Sequence, residues 1–589
     1  MLDPRLYRAA FLPAVLVLLV VAFSLGTRPR PIGTTLAADT FSGAQALAQL
    51  DRLAAQYPDR RAGSAGDRAL ASEIARQLRR VVPGTVEEDV FDASTIDGGR
   101  ELVNVVASRP GAPGPAIVVV AHRDAAGTGA RAELSGTAAL LELARIAGAG
   151  RLQRTITFIS TSGGSGGFAG AVRAAESLER PVDAVIVLGA VGATASYKPI
   201  VSGASNGAAQ APLQLARTVR QAVAAETGLA LGAPRAFIQG MRMAAPATTG
   251  EQGPFLRAGF PAVLVSSTGE RTPGAQAGVS AQRIEGIGRG VLRALYALDN
   301  GPDISEAGPT QALVVRGKVL PGWAVRVLVL AFLLPALVVA VDAIARLRRR
   351  REAVGRWAVW ALSAALPAAC VCVAAVIVAK TGLITGVPAP VPATSLTMTA
   401  GAAAAAVVLV IVAALAWILL RPALLGAAGL TRADRPDPPG AGVATGAVIP
   451  FAALALWFAN PFAAGAMVPA AHLWLWATAP ETRITRGPAA ALLAAGAALP
   501  LLVAVLLSRI LGLSPGEAPW FGVLLVAGGH TPWWSWLLWS AFTGAAISAM
   551  LLLVRRSPVP GAPEEITVRG PETYAGPGSL GGTPSALRR

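Results

Sequence analysis

A chain of 589 residues that is 53% hydrophobic and only 14% charged is too apolar to be a wholly soluble protein, since soluble domains carry about a quarter charged residues. Its mean hydropathy of +0.54 places much of it in lipid. The net charge of +17 is mostly arginine flanking apolar segments, with no interleaved basic and aromatic stripe, so nucleic acid is not an expected partner. The only cysteines, Cys370 and Cys372, lie two apart in an apolar run and are not placed to bridge each other on a helix.

The first apolar run, Ala9 to Leu25, follows Arg5 and Arg8 and is followed by Arg28 and Arg30, which reads as a membrane anchor (residues 1–27). A cleaved signal peptide ending near Leu36-Ala37-Ala38 is the rival reading. From Ser42 to Asn300 short strands alternate with amphipathic helices between Pro and Gly breaks, predicting an α/β domain large enough to fold without disulfides. Within it a strand (AIVVVAH, Ala116 to His122), a loop (RDAAGTGARAE), a helix (LSGTAALLELARIA), a strand (RTITFIS) and a glycine loop (TSGGSGGFAGA) follow one another.

After a linker (301–322), a membrane region over 323–556 begins with Trp323 to Ala345, which stops at RLRRRR. Five arginines in the six positions Arg346 to Arg351 mark a cytoplasmic end, placing the α/β domain outside the cytoplasm. Further spans are expected at Trp357 to Ala379, Met398 to Leu420, Ala489 to Leu507 and Trp533 to Val554. Ala447 to Thr478 is too long for one span, and Asn460-Pro461 at its middle predicts a tight helical hairpin. Counting the hairpin as two gives eight spans, seven of them after the α/β domain. That parity leaves Arg421, Arg432, Arg435, Arg483, Arg486, Arg555 and Arg556 inside and Arg509 outside. Trp520, Trp533, Trp534, Trp536 and Trp539 suit an interfacial belt, and the Pro- and Gly-rich tail 557–589 reads as disordered and cytoplasmic. His472 and His530 have no acidic neighbours in sequence, which argues against a proton or metal site there.

Four segments in order resemble metallopeptidase family 28 of clan MH, the di-zinc aminopeptidases. They are YPDRRAGSAGDRALASEIARQLRR, LVNVVASRPG (Leu102 to Gly111), the strand-to-glycine-loop stretch above, and GEQGPFLRAGFPAVLV (Gly250 to Val265). The resemblance covers about Leu47 to Leu298 and implies a zinc-exopeptidase-like mixed sheet flanked by helices, joined to an all-α polytopic bundle. Anchor, peptidase-like domain and bundle in that order are similar to vacuolar and endoplasmic-reticulum membrane metallopeptidases and to the Gaa-type subunit of GPI transamidase. The family's chemistry uses two zinc ions held by histidines and carboxylates, with a glutamate base.

By the resemblance, His122 matches the first histidine ligand and Asp124 its orienting aspartate. The bridging aspartate falls on Ala132, the base and following ligand on Gly164 and Ser165, another aspartate ligand on Gly189, and the last histidine on Arg271. One ligand of five remains and the base is lost. The expectation is therefore a pseudopeptidase with no cofactor, zinc returning only if the site is repaired. Glu133 and Glu270 stand one position from Ala132 and Arg271, a shift expected to point them elsewhere. Arg271 is expected to pair with Asp124 or Glu133 or to receive an anionic ligand.

Two other chemistries are set aside. Gly164-Ser165-Gly166 with Gly170 imitates a dinucleotide loop, but Asp183 precedes the next strand instead of ending it. Ser135 and Ser165 lack the G-x-S-x-G elbow of a serine nucleophile. The expected role is binding or scaffolding in a membrane assembly, with membrane-protein subunits or a peptide as partners. A membrane-bound zinc exopeptidase with rearranged ligands is one alternative. A transporter or lipid-handling bundle with an accessory ectodomain is another, weakened because Asp342 is almost the only acidic residue in the spans.

Overall fold

The computed structural model describes residues 4–127, 130–150, 152–179, 181–194, 199–232, 234–304, 308, 310–384, 390–430, 439–479 and 484–555. The expected disordered tail, Arg432, Arg435, Arg483 and Arg556 lie outside them.

Helices α1 (Pro4–Ala9) and α2 (Leu12–Phe23) form the N-terminal apolar segment and lead into a two-residue strand, β1 (Gly26–Thr27). The α/β domain then runs α3 (Gly43–Gln56), α4 (Ala65–Val81), β2 (Thr85–Thr95), β3 (Gly98–Arg109), β4 (Ala112–His122), α5 (Ser135–Ala149) and β5 (Arg154–Thr161). It continues with α6 (Ala169–Ser177), β6 (Val182–Leu188), β7 (Ile200–Ser202), α7 (Leu213–Thr227), α8 (Ala236–Ala244), α9 (Gln252–Arg257), β8 (Ala262–Ser266) and α10 (Ala281–Asn300).

The seven strands β2 to β8 form one mixed sheet in the order β2-β3-β5-β4-β6-β8-β7. Its centre, β5-β4-β6-β8, is parallel, and antiparallel strands close both edges. Central parallel strands are covered on both faces and read as continuous apolar runs; Ile117 to Ala121 of β4 are all fully buried. Helices α3, α4, α5, α7 and α10 pack together as one layer, and α6 and α9 as the other. From β4 the chain crosses to β5 and then returns past β4 to β6. A crevice therefore opens at the carboxyl ends of these strands, where open α/β sheets place their sites.

The segment expected as a linker carries β9 (Leu313–Val315) and β10 (Lys318–Leu320), and β10 pairs with both β9 and β1. The first and second apolar helices are thus tied together by backbone hydrogen bonds at the level where they meet the α/β domain.

The helical region comprises α11 (Gly322–Arg349), α12 (Val354–Ser363), α13 (Leu366–Lys380), α14 (Ala400–Leu415), α15 (Arg421–Ala427) and α16 (Pro439–Ala459). It ends with α17 (Pro461–Thr478), α18 (Arg486–Leu511), α19 (Glu517–Ala527) and α20 (Trp533–Arg555). Among the described residues six helices, the N-terminal one included, are long and apolar enough to cross a membrane, or seven when α12 and α13, bent by 46°, count as one span. Their apolar side chains face outward: Val410 is 68% exposed and Leu501 63%. In a soluble fold that surface would drive association; in a bilayer it is solvated by lipid.

The expected hairpin is present as α16 and α17, broken at Asn460. Its second arm, α17, is not among the helices that pass on length and apolarity. It packs against α11, α16, α18 and α20, so a helix enclosed by others has little need of a uniformly apolar surface. His472 of α17 uses both ring nitrogens: the Tyr7 hydroxyl donates to Nδ1 at 2.9 Å, and Nε2 lies 2.8 Å from the Phe332 carbonyl. It acts as a clasp between the N-terminal helix, α17 and α11. Asp342 of α11 is likewise occupied, by Arg346 at 2.8 Å.

The α/β domain and the helices meet along a continuous seam. Met243 and Ala244 of α8 belong to the same apolar cluster as α11, α16 and α17. Asn460 caps α17 by accepting from the Phe462 and Ala463 amides at 3.0 and 3.1 Å, while its Nδ2 donates to the Met243 carbonyl at 2.8 Å. One side chain therefore closes a helix end and fixes the α/β domain to it. Asn460→Ala should lower the stability of the full-length protein by about 1–2 kcal/mol, read as a lower melting temperature in detergent. An unchanged melt would show that this junction bears no load.

Candidate functional site

His122 is the last residue of β4, Thr161 the last of β5, and Gly189 directly follows β6, so all three stand at the crevice. A small pocket opens there, lined among others by His122, Glu133, Gly164, Gly189, Glu251 and Arg271.

The loop after β4 is held from below by two fully buried arginines. Arg60 donates to the carbonyls of Tyr57, Arg123 and Ala130 at 3.2, 3.3 and 2.7 Å. Arg123 pairs with buried Asp67 at 2.9 Å and donates to the carbonyls of Ser160 and Val103. Burial lowers the Arg60 pKa, against the opposing pull of Glu133, Asp124 and Asp67. Burial also raises that of Asp67, opposed by Arg123.

Asp124 does not take the orienting role that the resemblance implies. Its carboxylate accepts from the Gly164 amide at 2.8 Å, the Ser165 amide at 3.0 Å and the Ser165 hydroxyl. It braces the glycine loop instead, and this also removes the dinucleotide reading, because the amides that would cradle a phosphate are already bonded. Asp183, at the other end of β6, pairs with Arg154 at 3.0 Å. Ser135 donates to the Ala132 carbonyl at 2.6 Å, so neither serine is bonded to a histidine.

The partner of His122 is Glu251, the residue before α9, with Nδ1 to Oε2 at 3.4 Å. The other oxygen of Glu251 accepts from the Thr161 hydroxyl at 2.6 Å. Burial pulls the pKa of the ring down, but the hydrogen bond and charge of Glu251, with Asp124 and Glu133 nearby, outweigh this and lift it to about 9. Glu251 was quoted in the GEQGPF segment only as a mark of fold. A carboxylate standing where the family motif has its aspartate was the signal that went unread.

Glu133 corrects a second expectation. The four-residue turn Arg131–Leu134 aims it into the pocket instead of away, buried, with Oε2 lacking a hydrogen-bond partner. Burial raises its pKa to about 7, with His122 and Arg60 pulling down and Asp124 pushing up.

Arg271 corrects a third. It lines the pocket, but its guanidinium reaches the carbonyls of Arg509 and Ile510 at the last turn of α18 instead of pairing with Asp124 or Glu133. Unbonded carbonyls and the negative end of the helix dipole make that a favourable seat for a cation. Its neighbour Glu270 is taken by Arg242 Nη2 at 2.8 Å, the Ser202 hydroxyl and the Thr248 hydroxyl. Next to the pocket residue Gly164, the Ser165 carbonyl accepts from the Ser395 hydroxyl, in the segment between α13 and α14, at 3.4 Å. The glycine loop and Arg271 therefore both touch the helical region.

These residues do not fit a di-zinc centre. A Cβ on Gly164, where the base would stand, would lie 2.2 Å from His122 Cβ, so the imidazole fills the space a glutamate needs. A Cβ on Gly189 would meet Ser266 at 3.0 Å. Asp124 is committed to the loop and Glu251 to His122. Among the described residues no group of three or more His, Cys, Asp or Glu is arranged to hold a metal ion.

Compared with known proteins, residues 104–272 match Peptidase family M28. A search of curated proteins found no match. Solved structures similar to the chain include Porphyromonas gingivalis glutaminyl cyclase, at 20% identity over 44% of this chain and 99% of that one, TM-score 0.34. A zinc aminopeptidase from Bacillus subtilis shares 14% identity over 45% and 99%, TM-score 0.35. Acidobacteriales bacterium glutaminyl cyclase shares 18% over 46% and 99%, TM-score 0.36.

The pair of His122 and Glu251 yields a pH signature. An imidazolium lifted from 6.5 to about 9 contributes stability that is complete below pH 6.5 and lost as the pH rises through 9. Glu133, lifted from 4.5 to about 7, opposes folding as it ionises, so stability also falls between those values. Melting of the full-length protein should therefore decline from about pH 5 to 9.5, and Glu251→Gln should flatten the part above about pH 6.5. A wild-type melt that is level across that upper window would contradict the assignment. Residues 104–272, which hold most of the mixed sheet, match Peptidase family M28, in a chain that also carries several apolar helices long enough to cross a membrane.

Proposed function

We propose that this is a multi-pass membrane protein whose peptidase-like ectodomain binds without cleaving and organises a membrane assembly. The observation that carries this reading is at Gly164: the histidine ring occupies the volume of the lost base and is itself held by Glu251. A ring so held is a poor zinc ligand, because coordination needs the neutral imidazole. With neither a positioned base nor a competent ligand set, hydrolysis has no route through these residues.

Binding has one. Glu133 presents an unpartnered carboxylate oxygen to the pocket, and a protonated amine is the group that would satisfy it. The free amino end of a peptide is therefore the proposed ligand class. Arg271 and the glycine loop both touch the helical region, which supports a role in which pocket and bundle act together. Partners on this reading are the bilayer, other membrane-protein subunits and a peptide, and not nucleic acid.

The orientation follows charge. Arg346, Arg348 and Arg349 close α11 at the end away from the ectodomain, about 40 Å from its start at 1.5 Å per residue. Arg486 opens α18 and Arg555 closes α20 at that same end. Arginine is retained on the cytoplasmic side, which supports an extracytoplasmic ectodomain and a cytoplasmic tail.

A second reading, a zinc exopeptidase with rearranged ligands, is favoured by one observation: Glu251 and Glu133 both converge on the histidine, and Glu133 titrates near 7, where a general base works. One experiment separates the two. Full-length protein with zinc supplied is given a panel of aminoacyl peptides, and binding and turnover are read together. The expected result is binding that weakens about tenfold when the amine is acetylated, with no turnover above the uncatalysed rate. Turnover that disappears in His122→Ala would overturn the proposal.

A further inference from the structure

A larger cavity, about 230 Å³, lies beside the M28 pocket between β7, α7, α8 and the β1-β10-β9 sheet. Its charged lining is four arginines, Arg28, Arg217, Arg220 and Arg242, against a single carboxylate, Glu270. Glu270 is already taken by Arg242 and two hydroxyls. The charges acting on Arg217 and Arg220 are other arginines: Arg28 on the first, and Arg217 and Arg28 on the second. For each, burial is the larger cause of a lowered pKa. Arg242 adds a further donor, since its Nη1 is buried with no hydrogen-bond partner. Like charges gathered in a partly buried cavity repel and lose hydration, a cost that an anion in the cavity would offset.

The rest of the lining is apolar, including Ile238, Val314 and Ile510. Its place in the chain matters. Arg28 follows the end of α2, Val314 lies in β9 just before α11, and Ile510 is in the last turn of α18. The cavity is thus walled by three points at which the chain enters or leaves the apolar helices. A site with guanidinium donors at one part and an apolar wall at membrane level fits an anionic amphiphile.

We propose that this cavity binds an anionic phospholipid, its phosphate held by Arg217, Arg220 and Arg28 and the root of its acyl chains lying along Ile238, Val314 and Ile510. Arg220 is the centre of the site, because no ion pair or hydrogen bond within the protein engages it among the described residues, whereas Arg217 already donates to the Pro29 carbonyl. The site adjoins the M28 pocket and shares Glu270 with it, but Arg28, Arg217 and Arg220 line only the larger cavity, and the proposal holds whether or not that pocket is catalytic.

Binding is measured on delipidated full-length protein in neutral detergent, with short-chain phosphatidylglycerol, the matching phosphatidylcholine and inorganic phosphate as probes. Phosphatidylglycerol should bind about tenfold or more tighter than phosphatidylcholine, whose choline cation meets the arginines unfavourably. Arg217→Gln with Arg220→Gln should abolish that preference without lowering the melting temperature of the lipid-free protein, because it removes repelling cations. If the double variant does not fold, Arg28→Gln, on the half-buried segment after β1, should reduce the preference in the same direction. Equal affinity for the two lipids, or a preference that survives in the folded double variant, would overturn the proposal. Inorganic phosphate binding as tightly as the phospholipid would overturn the lipid assignment.

Discussion

An ionised group in a protein interior must be paired, hydrogen-bonded or neutralised, and the floor of the M28 pocket meets that rule with its own side chains. Arg60, Arg123 and a protonated His122 stand against Asp67, Asp124, Glu251 and Glu133. The fourth acid is the one whose pKa is lifted to about 7, so it need not carry full charge. In a site built for two divalent ions, the metals themselves balance the carboxylates. Here three of the acids, Asp67, Asp124 and Glu251, are bonded to arginine, imidazolium, hydroxyls and loop amides.

The same arrangement holds the loops at the carboxyl ends of the strands in place. Asp124 ties Gly164 and Ser165 to the end of β4, Arg60 ties the following loop at Arg123 and Ala130, and Thr137 donates to the His122 carbonyl at 2.7 Å. Loops that metal ions would otherwise draw together are drawn together by hydrogen bonds. Arg271 and Ser395 then extend that network from the pocket's rim to the helical region. A substitution at the rim would be felt by both parts.

The framework was legible because it is written in local periodicity. The apolar run of β4, the alternation around it and the glycine breaks placed the strands within a few residues, and Asn460-Pro461 marked the hairpin because a capping side chain followed by proline cannot continue a helix. What escaped was pairing across distance. Nothing near His122 announces Glu251, which arrives from the turn before α9. Glu133 turns inward because its loop tightens into a short 3-10 turn that spacing alone does not forecast. Arg271 had an expected partner inside the domain, and its real one is the end of a helix more than two hundred residues later.

The most direct test of this account is calorimetric titration of zinc into the full-length, metal-free protein at neutral pH. Side chains already paired among themselves should give no site in the pocket tighter than roughly millimolar, and the heat should be the same in His122→Ala. A stoichiometric site that binds on the order of micromolar or tighter and is lost in His122→Ala and Glu251→Gln would contradict it, and would restore the pocket as a metal centre.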